Sequence, residues 1–307
     1  MSYLTNQVAL QGTLIKKEVS QGTNKSGKEY LGIELTIRTK ENEEHIVRMY
    51  SNKHTKDGQV SKIYESMETV AREYLSADMQ GIGIENADKV SIRNGEISVN
   101  RYVDKMGELR ESRRLTTKFC SRVEGQVEGK SEFALAGVIE SVVPKMNMED
   151  EIELLKLTLI VPKGYNNLID KVEVVVRDTS FFEYIEENFT KGVVVRVGGN
   201  VVNRVEKTVQ EVPATGFGQM PQLSEKTIRV NELLATGGMI LYGAEETEFF
   251  TEEEIAKGLE LFNQQIEELK STKVDAPIVP QGFGGTAPQT PFSNPYVNNG
   301  QSNIPNF

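Results

Sequence analysis

The sequence predicts a mainly β chain: two tandem five-stranded barrel units, then a helix and a tail without fixed structure. Three observations predict it. Apolar and polar residues alternate with period two along many segments. The order strand, strand, strand, helix, strand, strand occurs twice. After Lys270 the aliphatic content collapses.

The first unit is placed at residues 1–123. Val8, Leu10 and Leu14 recur with polar residues between them, and Gly12 interrupts. Gln21 to Gly27 is a polar turn. Leu31, Ile33, Leu35 and Ile37 alternate strictly with Tyr30, Gly32, Glu34, Thr36 and Arg38, which describes a strand with one wet face. His45 to Tyr50 reads as a third strand. Over residues 60–78 the period changes: Val60, Ile63, Met67, Val70, Tyr74 and Leu75 share one helical face. Strands are then expected at Lys89–Ile92 and Ile97–Tyr102, a turn at Asp104 to Gly107, and a strand at Leu115–Val123.

Residues 124–132 have linker composition, rich in Glu and Gly. The second unit, 133–237, repeats the order. Phe133–Val143 is closed by Pro144 and Ile152–Val161 by Pro162, and Val172–Arg177 makes a third strand. Thr179 to Asn188 suits a short helix capped by Thr179 or Ser180. A fourth strand starts at Val193, Val195 and Val197 and runs toward Val205; a fifth lies near Thr227–Leu233. Five strands with a helix after the third is the order of the OB-fold, a small Greek-key barrel.

Residues 238–270 form an acidic segment with an amphipathic helix. Thr251 is placed as its cap, with Glu254 completing a capping box. Ile255, Leu259, Phe262, Ile266 and Leu269 are spaced 4, 3, 4 and 3 apart, a heptad-type seam expected to lie on the chain's own barrels. Residues 271–307 hold six of the ten prolines and are expected to be disordered, with Phe283, Phe292, Tyr296 and Phe307 at intervals.

Composition narrows the chemistry. Cys120 is the only cysteine, and His45 and His54 are the only histidines, so disulfide scaffolds, thiolate metal sites and histidine catalysis have almost no material. No cofactor or metal is implied, and no enzymatic activity is expected. The run Gly125 to Ser131 imitates a phosphate loop but is one residue short and precedes a strand. Met1 to Leu10 lacks a basic stretch and an apolar core, and no apolar run reaches membrane-spanning length, so a cytoplasmic location is expected.

The net charge of −10 is unevenly spread: +2 over residues 1–130, −5 over 131–237 and −7 over 238–307. An overall acidic chain does not coat polyanions by bulk charge, but a local basic surface remains. Between Arg101 and Arg122 stand Arg101, Lys105, Arg110, Arg113, Arg114, Lys118 and Arg122 against three acids, with Tyr102 and Phe119 flanking. In an OB barrel this is the hairpin between strands four and five, a place where such folds hold oligonucleotides. Tyr30 and Arg38 on strand two, Arg48 and Tyr50 on strand three, and Lys25, Lys28 and Lys53 beside them converge on the same surface. Cations beside aromatics suit unpaired nucleic acid: charges follow phosphates while rings stack on bases. The candidate binding set is therefore Lys25, Lys28, Tyr30, Arg38, Arg48, Tyr50, Lys53, Arg101, Tyr102, Lys105, Arg110, Arg113, Arg114 and Lys118.

Asn6 to Leu14, the doubled OB order with its basic hairpin, and the ending Asn303-Ile304-Pro305-Asn306-Phe307 together resemble the tandem-OB single-stranded-DNA-binding proteins of bacteriophages of Gram-positive bacteria. The resemblance implies stoichiometric binding and protection of single-stranded DNA in replication and recombination. It also implies recruitment of replication or recombination proteins by a tail tip of Ile304, Pro305 and Phe307. The chain departs from the bacterial relatives in having no Trp, so Tyr and Phe must do the stacking; its acids also lie upstream of the tip. An acidic tail of this kind is expected to occupy the basic surface until DNA displaces it. The rival readings are a β-rich phage structural or assembly protein without nucleic-acid affinity, an enzyme carrying OB modules, and an RNA binder.

Overall fold

The computed structural model describes residues 6–104, 106–125, 127–163, 168–212, 222–241 and 251–271. The first unit contains β1 (Asn6–Thr23), β2 (Glu29–Lys40), β3 (Glu43–Asn52), α1 (Lys62–Glu73), the short α2 (Gly83–Asn86), β4 (Lys89–Val103), β5 (Leu109–Thr117) and β6 (Ser121–Arg122). β1 pairs with β2, β2 with β3, and β4 with both β5 and β1, all antiparallel; β3 and β5 pair in parallel at Val47 and Leu115. That closes a barrel in the OB order.

The second unit repeats it with β7 (Lys130–Met146), β8 (Ile152–Lys163), β9 (Leu168–Val176), a 3-10 turn at Thr179–Phe181 running into α3 (Phe182–Asn188), β10 (Val194–Val212) and β11 (Gln222–Ile240). β7 closes on β10, and β9 meets β11 in parallel at Val175 and Leu234. Each first strand carries a glycine just before it passes from strand four to strand two. A Cβ on Gly12 would lie 2.2 Å from the Arg38 carbonyl oxygen, and one on Gly137 would lie 2.6 Å from that of Ile160. The apparent interruption of the pattern at Gly12 is thus a close crossing of strands.

The barrels are joined edge to edge. β1 pairs with β7 from Asn6–Leu135 to Gln11–Lys130, so one continuous sheet and one apolar core run through both. β7 accordingly begins inside the stretch expected as linker, and Ser131 is buried with its hydroxyl on Glu43 Oε1 (2.9 Å).

Several boundaries differ from expectation. The stretch 89–103 is one strand, since Gly95 marks a close contact with Val8 and not a break. Residues 109–114 are strand, although their cationic pattern reads as loop: this hairpin extends past the barrel and has little apolar surface to bury. β10 and β11 are also longer, because their distal parts ladder only with each other. Asp178 caps the segment before α3, accepting from Ser180 N at 3.0 Å.

α1 buries Tyr64, Met67 and Val70 under the first barrel, and Tyr74 is buried just after it. Lys17 Nζ donates to the carbonyls of Ala71 and Tyr74, both at 2.7 Å, where a cation suits the helix C-terminus. The last helix, α4 (Glu252–Ser271), has the expected capping box: Glu254 N donates to Thr251 Oγ1 at 3.2 Å, and Thr251 N to Glu254 Oε2 at 3.0 Å. Its seam packs on the second barrel, Phe262 being buried among Ala136, Val138, Ile160, Ile169, Val194 and Leu241.

Candidate nucleic-acid interface

On β2 and β3 the aliphatic residues other than the exposed Ile46 face inward, leaving Tyr30, Glu34, Arg38, Arg48 and Tyr50 outward. Tyr30 and Tyr50 are diagonal neighbours: Tyr30 pairs with Asn52 and Tyr50 with Gly32. Their rings stack with centroids 5.4 Å apart and planes 25° apart. Tyr50 is 55% exposed. Its hydroxyl donates to Asn52 Oδ1 (3.2 Å), which also accepts from Asn24 Nδ2 (3.2 Å), tying the β1–β2 turn to this face.

That turn is ordered by one side chain. Asn24 Oδ1 accepts from Ser26 N and Lys28 N, both at 3.0 Å, and Gly27 takes φ of 74°. Lys25 and Lys28 stand exposed on it. The β4–β5 turn uses the same device: Asp104 Oδ1 accepts from Met106 N and Glu108 N, with Gly107 at φ 86°. The hydrogen bond from Arg110, with those from the turn's backbone, holds the Asp104 carboxyl below its ordinary value. Lys105 lies outside the described residues.

Many of the predicted cations have acids beside them. Arg48 Nε meets Glu34 Oε2 at 2.7 Å, Lys53 meets Glu29 at 2.6 Å, and Arg38 meets Glu44 at 2.6 Å. Arg110 meets Asp104 at 2.9 Å and Glu108 at 2.6 Å. Exposed pairs of this kind contribute about 0–1 kcal/mol and exchange readily for other anions. Lys25, Lys28, Arg114 and Lys118 have no ion pair among the described residues.

Arg101 does not belong to the surface set. On β4 it alternates with Tyr102, so Tyr102 is 47% exposed while Arg101 turns toward the second barrel. Its side chain is only 9% exposed. Nη1 donates to Asp170 Oδ1 at 3.0 Å, Nε to Glu111 at 2.6 Å, and the guanidinium lies 4.4 Å from the Phe262 ring centroid. It clamps the two barrels and α4 together. Arg113, on the same side, is largely enclosed and donates to Asn231 Oδ1 of β11. Burial pushes its guanidinium down to about 10.

So the structure brings together Tyr30, Tyr50, Arg48, Lys25, Lys28 and Lys53 on one face, with Lys118 bordering it. It places Tyr102 and Arg110 on the projecting hairpin, and sends Arg38, Arg113 and Arg114 to a cleft between the barrels. Arg229 and Asn231 of β11 line that cleft too. Nothing singled them out, although the alternation Ile228, Arg229, Val230, Asn231 puts both on one face. The tail tip Ile304, Pro305 and Phe307 lies outside the described residues.

Three buried groups, Cys120, Glu43 and His45, stand apart from the tyrosine face. Burial drives the Cys120 thiol up to about 12, which leaves it inert. Glu43 and His45 sit between the barrels, His45 Nε2 donating to Glu43 Oε1 at 3.1 Å. Burial opposes ionisation of Glu43, but hydrogen bonds from Thr39, His45 and Ser131 outweigh it and hold the carboxyl below its ordinary value. Among the described residues no group of His, Cys, Asp and Glu could hold a metal, and no helix is long and apolar enough to cross a membrane.

Among solved structures, the chain is similar to a deletion variant of the single-stranded DNA binding protein from Thermus aquaticus, with 17% identity and a TM-score of 0.47, over 81% of this chain and 97% of that one. The wild-type form of the same protein gives 16% and 0.45 over 78% and 94%. A Replication Protein A heterotrimer bound to ssDNA gives 13% and 0.20 over 76% and 50%. With values this low, the fold rests on the strand pairing itself. No curated protein matches the chain. One family model does, over residues 5–272, and its whole description is YorF.

Proposed function

The chain belongs to the YorF family, and we propose that this member binds single-stranded DNA with little sequence preference. The observation that carries the reading is the stacked pair of the exposed Tyr50 and the half-buried Tyr30 on the open face of an OB barrel, flanked by Arg48, Lys53 and the lysines of the β1–β2 turn. Ring faces accept any unpaired base, and each stacked base is worth about 1–3 kcal/mol. The mechanism is stoichiometric: bases on tyrosines, phosphates on cations. Protection of replication and recombination intermediates during phage growth, and recruitment of partner proteins through the tail tip, extend the same reading.

Fluorescence anisotropy with labelled oligo-dT tests it, at two salt concentrations, with duplex DNA and oligo-U as competitors. Expected are tight binding to dT, weak competition by duplex, and a log–log salt slope of about 0.7 per phosphate contact. Equal competition by oligo-U makes the ligand single strands of either sugar. Absence of binding at low salt overturns the reading and leaves a β-rich structural protein. Residues 272–307 carry only Lys273 and Asp275 as charged side chains, so competition by an acidic segment is tested by Glu245→Gln, Glu246→Gln and Glu248→Gln together; tighter binding by that variant is its expected sign.

A further inference from the structure

The cleft between the barrels is walled by Arg48 of β3, Arg113 and Arg114 of β5, and Arg229 of β11. No carboxylate is among its lining residues; the others include His45, Ser112, Asn203 and Asn231. Its volume is 240 Å³, and through Ile46, Asn203 and Arg229 it continues into a depression of 500 Å³ of mixed charge, where Lys16 and Arg38 stand beside Glu41 and Glu44 and Arg38 is paired with Glu44; the carboxylate-free stretch is the arginine cleft alone. Arg48 also borders both hollows beside Tyr50, so the tyrosine face and the cleft are contiguous.

Four guanidinium groups that close together repel one another, and their nearest charges do little to offset this. Glu34, the partner of Arg48, lies on the outward face and not in the cleft. Among the described residues Arg113 has only the neutral Asn231 amide as hydrogen-bond partner, with Glu232 and Glu173 acting at longer range. Arg114 and Arg229 have no ion pair among the described residues, and Arg229 stands exposed at the mouth. A half-enclosed cation without a carboxylate is costly unless an anion completes it. His45 adds a buried Nδ1 with no hydrogen-bond partner among the described residues.

We propose that this cleft binds the phosphates of a nucleic-acid strand leaving the tyrosine face, so that a bound strand passes from the first barrel onto the second. The inference rests on the nucleic-acid reading above and adds to it a path and a role for the second barrel. The site takes phosphodiester oxygens, since planar guanidinium groups match them bidentately.

The test is anisotropy with oligo-dT of about 6 and about 20 nucleotides, lengths that span roughly one OB unit and two. The proteins are the full chain, Arg229→Glu, Arg229→Lys and Tyr50→Ala. Arg229→Glu is expected to weaken the long oligomer about tenfold and to lower its salt slope by about 0.7 or more, leaving the short one unchanged. Arg229→Lys is expected to keep most of the affinity. If Arg229→Glu matches wild type at both lengths while Tyr50→Ala loses binding, the cleft is not on the path and the tyrosine face stands. If Arg229→Glu weakens both lengths equally, Arg229 acts through the general field and the path is overturned. Failure of the wild-type chain to bind either length sinks both readings together.

Discussion

In the first barrel the outward face of β2 and β3 carries Tyr50 in the open with the half-buried Tyr30 stacked on it; in the second, the outward side of β8 and β9 lies partly beneath α4. There Ile160 and Ile169 are buried against Phe262, Lys171 sits 5.2 Å from the Phe262 ring centroid, and Lys156 is paired with Glu173 at 3.1 Å. The turns diverge as well. Asn24 and Asn147 build the same kind of β-hairpin turn, yet the first presents Lys25 and Lys28 while the second presents Met148, Glu149 and Asp150. One strand order has thus been fitted with an exposed, cationic aromatic surface in one copy and a covered, acidic one in the other. The second copy contributes through its edge, where β11 reaches the inter-barrel cleft.

The clamp between the copies is where disruption should cost most. Arg101 and Asp170 are 9% and 3% exposed; without the guanidinium Asp170 keeps Lys163 at 2.8 Å and the Val99 N–H at 3.1 Å, so its charge is partly compensated, while the contact with Phe262 is lost outright. Arg101→Ala is expected to lower stability in chemical denaturation by less than a fully uncompensated buried charge would, which is about 3–5 kcal/mol, and Arg101→Ala with Lys163→Ala by about that amount, while the refolded Arg101→Ala variant keeps its affinity for oligo-dT. Loss of affinity without loss of stability would return Arg101 to the binding surface.

Next in size is the aromatic face. Tyr50→Ala is expected to weaken oligo-dT binding by about 1–3 kcal/mol, whereas Lys156→Ala on the second barrel leaves it unchanged. Equal losses from the two variants would abolish the functional asymmetry of the barrels.

What the residues disclosed on their own follows the same divide. Period two in Leu31 to Ile37 and helical period in Ile63 to Tyr74 come from burial on one side, and those elements are where they were expected. The Arg101–Arg122 run was legible as charge, but not as geometry: alternation sends Tyr102 outward and Arg101 inward, and only the second barrel's position makes inward mean buried. The edge pairing of β1 with β7 escaped for a related reason. Gly125 to Ser131 has a linker's composition, and nothing local signals a ladder to Asn6–Gln11. Arg229 was missed because the other arginines of the cleft, Arg48, Arg113 and Arg114, lie more than a hundred residues away in the chain.

A pH titration separates the contact between barrels from the barrels themselves. Burial holds His45 below its ordinary value of 6.5, more than the Glu43 hydrogen bond raises it. The unfolded chain therefore takes up the proton first, so the stabilisation is present above 6.5 and is lost as pH falls below it. Glu43, also depressed in the folded state, adds a second loss as pH falls below its ordinary 4.5. Melting temperature should decline in two steps on acidification. His45→Gln should remove the upper step and keep the lower one; an unchanged upper step would assign it elsewhere.

The smallest effects are expected from the two matching turns, and they probe the comparison most directly. Lys25 and Lys28 are exposed and carry no ion pair among the described residues. Lys25→Glu with Lys28→Glu should leave melting unchanged and reduce the salt slope of oligo-dT binding by about 0.7 for each phosphate contact removed. The reciprocal change, Met148→Lys with Glu149→Lys, gives the second barrel the charge of the first but none of its tyrosines. If the strand enters the second barrel only through the arginine cleft, that variant gains no affinity and keeps the wild-type slope. A gain in both would mean that the strand also reaches the β7–β8 turn, and that the acidic residues there had been keeping it away.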